Sequence, residues 1–143
     1  MAHSVCALAT SLTQEEAAQH LIPMVSILLK NNNTEVIVSL IENMSDLVKI
    51  IGTASIEEKI IPSICTLTAD KTWRIRLAAT QFLPQIAAAT NQEVFGQKLE
   101  GVLINMLMDS VFTIRETALQ SLIEISQSTF STEWLMRIMI AKI

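Results

Sequence analysis

The chain has 143 residues, half of them hydrophobic and 17% charged, with 10 Lys and Arg against 14 Asp and Glu for a net charge of −4. That balance, with no lysine or arginine cluster, excludes a phosphate-neutralising nucleic-acid surface. No apolar run reaches the roughly 18 residues of a membrane span, and residues 1–12 lack the basic start and long apolar run of a secretion signal, so a cytoplasmic protein is expected, with the nucleus as a second location.

Read in chain order, Val5, Cys6, Leu8 and Ala9 form the apolar tail of a preceding helix. Thr13 with Glu16 has the spacing of a capping box, which predicts a new helix start. His20-Leu21-Ile22-Pro23 opens a run that ends at Asn31, and the polar turn Asn31-Asn32-Asn33-Thr34 leads to a second helix carrying Val36, Leu40, Met44 and Leu47. Gly52 is a natural left-handed stop. Ser55 with Glu58 is another capping box, and Lys59-Ile60-Ile61-Pro62 opens the next run, which ends at Asp70. Ile75, Ala79, Leu83 and Ile86 follow on a second helix. Lys98-Leu99-Glu100-Gly101 opens a third run, ending at Asp109, and Ile114, Ala118, Leu122 and Ile125 follow it.

These segments superpose at a period of 39 residues without a gap. Leu21, Val25 and Leu28 map onto Ile60, Ile64 and Leu67, then onto Leu99, Leu103 and Met106. Spacings of four, four and three in the second half trace one face of a helix. Each unit is therefore a helical hairpin, with a period at the edge of the HEAT and armadillo range. The expected fold is all-α, a HEAT-repeat α-solenoid fragment of about three hairpins with partial helices at both ends. It forms a single array over 1–143, divided as 1–12, 13–53, 54–90, 91–129 and 130–143. The high apolar content suits helices packed on both sides. The apolar faces of residues 1–12 and 134–143 could pair between copies.

Pro23 and Pro62 share one phase and predict a kink in each first helix, each removing a backbone bond at about 3 kcal/mol. Gly101 holds that phase in the third unit and predicts a weakened helix without the kink. Pro84 frees the carbonyl of Thr80, which then needs another donor or water.

Asp70 and Arg76 are six apart, and so are Asp109 and Arg115. The spacing predicts a structural ladder, in which the aspartate accepts N–H groups at the start of the second helix and the arginine reaches the aspartate of an adjacent unit. The first unit has Asn31 and Ile37 in their place, so the ladder stops or changes there. Trp73 and Phe112 share one phase, just before the second helix, and turns of a solenoid line up as a ridge. Large aromatics there, one beside Arg74, have the composition of a binding hot spot. The alternative, rings folded over the helix ends as core, stays open. Trp134 and the methionines read as core. Cys6 and Cys65 read as reduced core thiols. His3 and His20 have no catalytic or ligand partner nearby. No phosphate loop, metal-ligand spacing or nucleophile with a base is present, so catalytic residues, cofactors and metals are not expected.

The strings Asp70-Lys71-Thr72-Trp73-Arg74-Ile75-Arg76-Leu77-Ala78 and Asp109-Ser110-Val111-Phe112-Thr113-Ile114-Arg115-Glu116 closely resemble consecutive HEAT repeats of the scaffold (A) subunit of protein phosphatase 2A. Lys49-Ile50-Ile51-Gly52, Glu93-Val94-Phe95-Gly96-Gln97-Lys98-Leu99 and Glu133-Trp134 are similar to its connecting segments. The resemblance implies a non-enzymatic scaffold, at about the tenth to twelfth repeats of a horseshoe. Its partners would be the phosphatase catalytic subunit and an exchangeable B-type regulatory subunit bound mainly to more N-terminal repeats. It also implies that Trp73 and Arg74 face the catalytic subunit and that Phe112 continues the face, so Trp73, Arg74, Val111 and Phe112 are the expected protein-binding residues. The alternatives are a HEAT or armadillo adaptor of nuclear transport or chromosome-associated complexes, and a helical carrier or enzyme with a pocket in the stack.

Overall fold

A computed structural model describes residues 14–16, 19–20, 22–31, 33–50, 53–128 and 130–142. The expectations placed on residues 1–13, Leu21 and Gly52 lie outside the described residues, as does the side chain of Leu47. After a helical turn at Gln14–Glu16 come α1 (Ile22–Leu29), α2 (Thr34–Asn43) and α3 (Ser45–Ile50). A turn at Thr53–Ser55 runs into a π-helical turn, Ile56–Ile60, and then α4 (Ile61–Thr68) and α5 (Trp73–Ala89). The chain continues through α6 (Gln92–Lys98), α7 (Glu100–Leu107), α8 (Phe112–Ser128) and α9 (Thr132–Lys142). All regular structure among the described residues is helical, an all-α, solenoid-like stack. None of the described helices is long and apolar enough to cross a membrane.

The apolar columns become the core because each second helix packs against its own first helix and against the second helix of the next unit. Thus α5 lies on α4, against α2 and α3 on one side and against α8 on the other. Leu40, Ile64, Ala79, Leu83, Leu103 and Ala118 are fully buried along this seam. Burying a leucine or isoleucine contributes roughly 1.5–3 kcal/mol, so the 39-residue pattern carries most of the stacking energy. The first unit departs slightly, for Ile37 is buried where Val36 is only half-buried. Trp134 is 1% exposed and stands edge-on to Phe95 and Phe130, with ring centroids 6.1 and 5.0 Å away. Its indole N–H has no acceptor among the described residues.

The local expectations at helix starts and prolines need correction. Ser55 does not cap a helix. It lies in helical backbone (φ −67°, ψ −38°) one residue before the π turn, and its side chain makes no capping bond. The chain is already helical from Thr53, so the amides ahead are not the free donors a cap serves. The working caps lie elsewhere: Asn33 Oδ1 accepts from the N–H groups of Glu35 and Val36 at 3.0 and 3.4 Å, Asn91 Oδ1 accepts from Val94 at 2.8 Å, and Ser131 Oγ accepts from Trp134 at 3.2 Å.

Pro62 sits in the first turn of α4, where a missing N–H costs little, and the π turn before it takes up the change in winding. In the third unit Gly101 does not spare the break. Leu99, at the phase of Ile60, departs from helical backbone (φ −121°, ψ −15°) and divides α6 from α7. Both residues are buried, 1% and 0% exposed, so packing at that phase rather than the proline sets the interruption.

Candidate protein-binding ridge

The intra-repeat turns are built alike. Asp70 Oδ1 accepts from the N–H of Thr72 at 2.8 Å, Asp109 Oδ1 from Val111 at 2.9 Å, and in the first unit Asn31 Oδ1 accepts from Asn33 at 2.8 Å. An Asx bond of this kind turns the chain into the following helix. Arg76 Nη1 donates to the carbonyls of Asp70 and Lys71 at 2.9 and 3.2 Å, and Arg115 Nη1 to those of Asp109 and Ser110 at 2.7 and 3.1 Å. The other edge of Arg76 grips Asp109 of the next unit, Nε to Oδ2 at 2.9 Å and Nη2 to Oδ1 at 3.2 Å.

The ladder therefore joins α5 to the turn before α8 by a forked pair whose side chains are 14% and 7% exposed. Burial alone would raise the Asp109 carboxyl. The bonds from Arg76, the N–H of Val111 and the charges of Arg76 and Arg115 outweigh it and hold the group below the ordinary carboxylate range. Between the first two units, where Ile37 replaces the arginine, the link is Arg74 with Glu35, an exposed pair. Nothing in the sequence marked it, because glutamate and arginine at one phase do not look like a repeat.

These turns hold the aromatics out of the core. Trp73 is 46% and Phe112 66% exposed at the first residues of α5 and α8, so neither ring folds over its helix end. The Arg115 guanidinium lies 5.6 Å from the Phe112 ring centroid, a cation–π contact. Arg74 is exposed beside Trp73, whereas Val111 is half-buried against the core. Met108, 72% exposed at the end of α7, joins the ridge unanticipated. The methionines divide: Met44 and Met106 are buried, but Met24, Met136 and Met139 are exposed like Met108, which corrects their reading as gap-filling core.

Elsewhere, His20 is exposed, and no group of three or more His, Cys, Asp or Glu among the described residues could hold a metal ion. Cys65 is a free, half-buried thiol whose ionisation burial pushes up, as in an inert core cysteine; Cys6 and His3 lie outside the described residues.

None of the curated proteins matches the chain. The family model that matches, over residues 6–143, is PIK3R4-like, middle domain. It overturns the resemblance to the protein phosphatase 2A scaffold, and with it the phosphatase catalytic subunit and the B-type regulatory subunit as partners. The nuclear-transport and chromosome-associated adaptor reading gains no support from it either. The strings that carried the resemblance have mechanical work within the stack. Their aspartates turn the chain, their arginines hold the carbonyls of each turn, Arg76 also pins its turn to the next, and their isoleucines fill the seam. Any stack of such hairpins can use those residues whatever it binds. With nearly its whole length inside that match, the chain belongs to the PIK3R4-like, middle domain family.

Proposed function

We propose that this chain is a non-catalytic interaction segment of a PI3K regulatory-subunit type of protein, offering its turn ridge to a protein partner within a PI3K complex. The observation that carries the reading is the pair of exposed aromatics, Trp73 and Phe112, one repeat apart on turns fixed by the Asp–Arg ladder. A rigid aromatic loses little conformational entropy on contact and brings a large apolar area, which is why such residues dominate interface energetics. Arg74 and Arg115 beside them add cationic edges, and Val111 supports the ridge from beneath. The cytoplasm, with the nucleus second, is the compartment we assign to it.

The test is a binding titration of purified PI3K subunits against the chain, wild type and with Trp73 and Phe112 both changed to alanine. Loss of two hot-spot residues should weaken binding by about thirtyfold or more. Binding unchanged in the double variant would remove the ridge from the interface, and no binding by the wild type would remove the PI3K partner.

A further inference from the structure

The repeat breaks its own pattern at one place on the first-helix layer, and the break opens a pocket. In the second unit Glu57, on the π turn, pairs with Lys98 of α6 at 3.1 Å and so ties successive first helices together. One repeat further on, Lys98 becomes Arg137 of α9, but Glu57 becomes Gly96, so the basic side chain meets no carboxylate at its own phase. The column of Ile22 and Ile61, both buried, arrives at Glu100. An apolar core position has become a carboxylate, and the neighbouring acidic position has lost its side chain.

Both changes act on one set of atoms. The Glu100 side chain is 10% exposed, and Arg137, itself 60% exposed, brings Nη2 no closer than 3.6 Å to Oε2. No donor among the described residues reaches hydrogen-bonding distance of this carboxylate. A Cβ at residue 96 would stand 3.3 Å from Oε2, so the glycine leaves the carboxylate its room. The result is an open pocket of about 510 Å3, lined by Gln92, Glu93, Gly96, Gln97, Glu100 and Arg137. The carboxylate oxygens open onto this pocket, where paired donors on a full positive charge would hold them more strongly than Arg137 does across 3.6 Å. Arg137 supplies charge at a distance but no hydrogen bond.

We propose that this pocket binds the guanidinium group of an arginine side chain on a partner protein, seated on Glu100 with Arg137 displaced towards solvent. The planar fork of a guanidinium supplies the paired N–H donors that Glu100 lacks. The side-chain carbonyls of Gln92 and Gln97 are acceptors for its remaining N–H groups, and Glu93 adds attraction on the pocket wall. The site uses no ridge residue and stands independently of the ridge reading.

The test is an NMR titration of the whole chain with Nα-acetyl-arginine amide, using the neutral citrulline analogue as control. The arginine probe should shift the amide signals of Gly96 and Glu100 and the citrulline probe should not. Glu100→Gln should weaken binding at least about tenfold. Arg137→Gln, at a side chain 60% exposed and with folding checked by circular dichroism, should tighten it by removing the resident competitor. The proposal is overturned if the pocket signals do not move, if citrulline moves them equally, if Glu100→Gln binds as wild type does, or if Arg137→Gln weakens binding. Should Glu100→Gln fail to fold, the direction of the Arg137→Gln effect decides.

Discussion

Arg76 divides its guanidinium between two tasks, one nitrogen holding the carbonyls of its own turn and the other edge gripping Asp109 of the next. Removing it strands a carboxylate that is 7% exposed, and losing one partner of such a pair costs about 3–5 kcal/mol. Arg76→Ala should show that loss in urea denaturation at pH 7. The pair also has a pH signature. Because folding holds the Asp109 carboxyl low, its contribution is complete above the unfolded value near pH 4 and disappears as pH falls through the lower folded value. Wild type should therefore lose stability more steeply below about pH 4 than Asp109→Asn, and parallel acid limbs would contradict the assignment. The ladder was legible in the sequence because Asp109 and Arg76 stand at repeated phases with complementary charge. The Glu100–Arg137 contact was not, for it arises where Ile61 gives way to Glu100 and Glu57 to Gly96, and a broken pattern carries no periodic signal.

At the scale of the helix, α5 contains Pro84 and yet runs unbroken from Trp73 to Ala89. The proline cannot donate to the carbonyl of Thr80, and Ser121 of α8 does so instead, Oγ to O at 3.3 Å in a buried setting. A defect in one helix is thus repaired by its neighbour in the stack. Ser121→Ala should cost about 1–3 kcal/mol by leaving that carbonyl unsatisfied. Adding Pro84→Ala, which restores an N–H within the helix, should recover most of the loss, and calorimetric melting of the two single variants and the double variant measures the coupling. Simple additivity would mean that the serine does not act through the carbonyl the proline frees. The need for a donor followed from the proline's chemistry. That it would be Ser121, 41 positions away, depended on how α8 lies against α5.

Across the whole molecule, exposed and buried aromatics divide by role. Trp134, Phe95 and Phe130 form one edge-to-face cluster between the third unit and α9. Trp134→Ala should destabilise the chain by about 3–5 kcal/mol in urea denaturation, as for other large buried side chains. A change below about 1 kcal/mol would contradict a core role for Trp134. Leu119 and Ile123 of α8, 46% and 40% exposed, stand at the phases of Thr80 and Pro84, which are buried in α5. The α5 face is covered by α8, and no further second helix among the described residues lies on the matching face of α8.

By itself the sequence determined the repeat, its 39-residue period, the apolar columns and the Arg76–Asp109 rung between units, because each of these is local chemistry written more than once. Only the tertiary structure decided which way Trp73 and Phe112 face, where the first helices break and that Glu100 is buried under Arg137. Those outcomes depend on the distance and angle between stacked helices, set by all the packed side chains together rather than by the residues at any one phase.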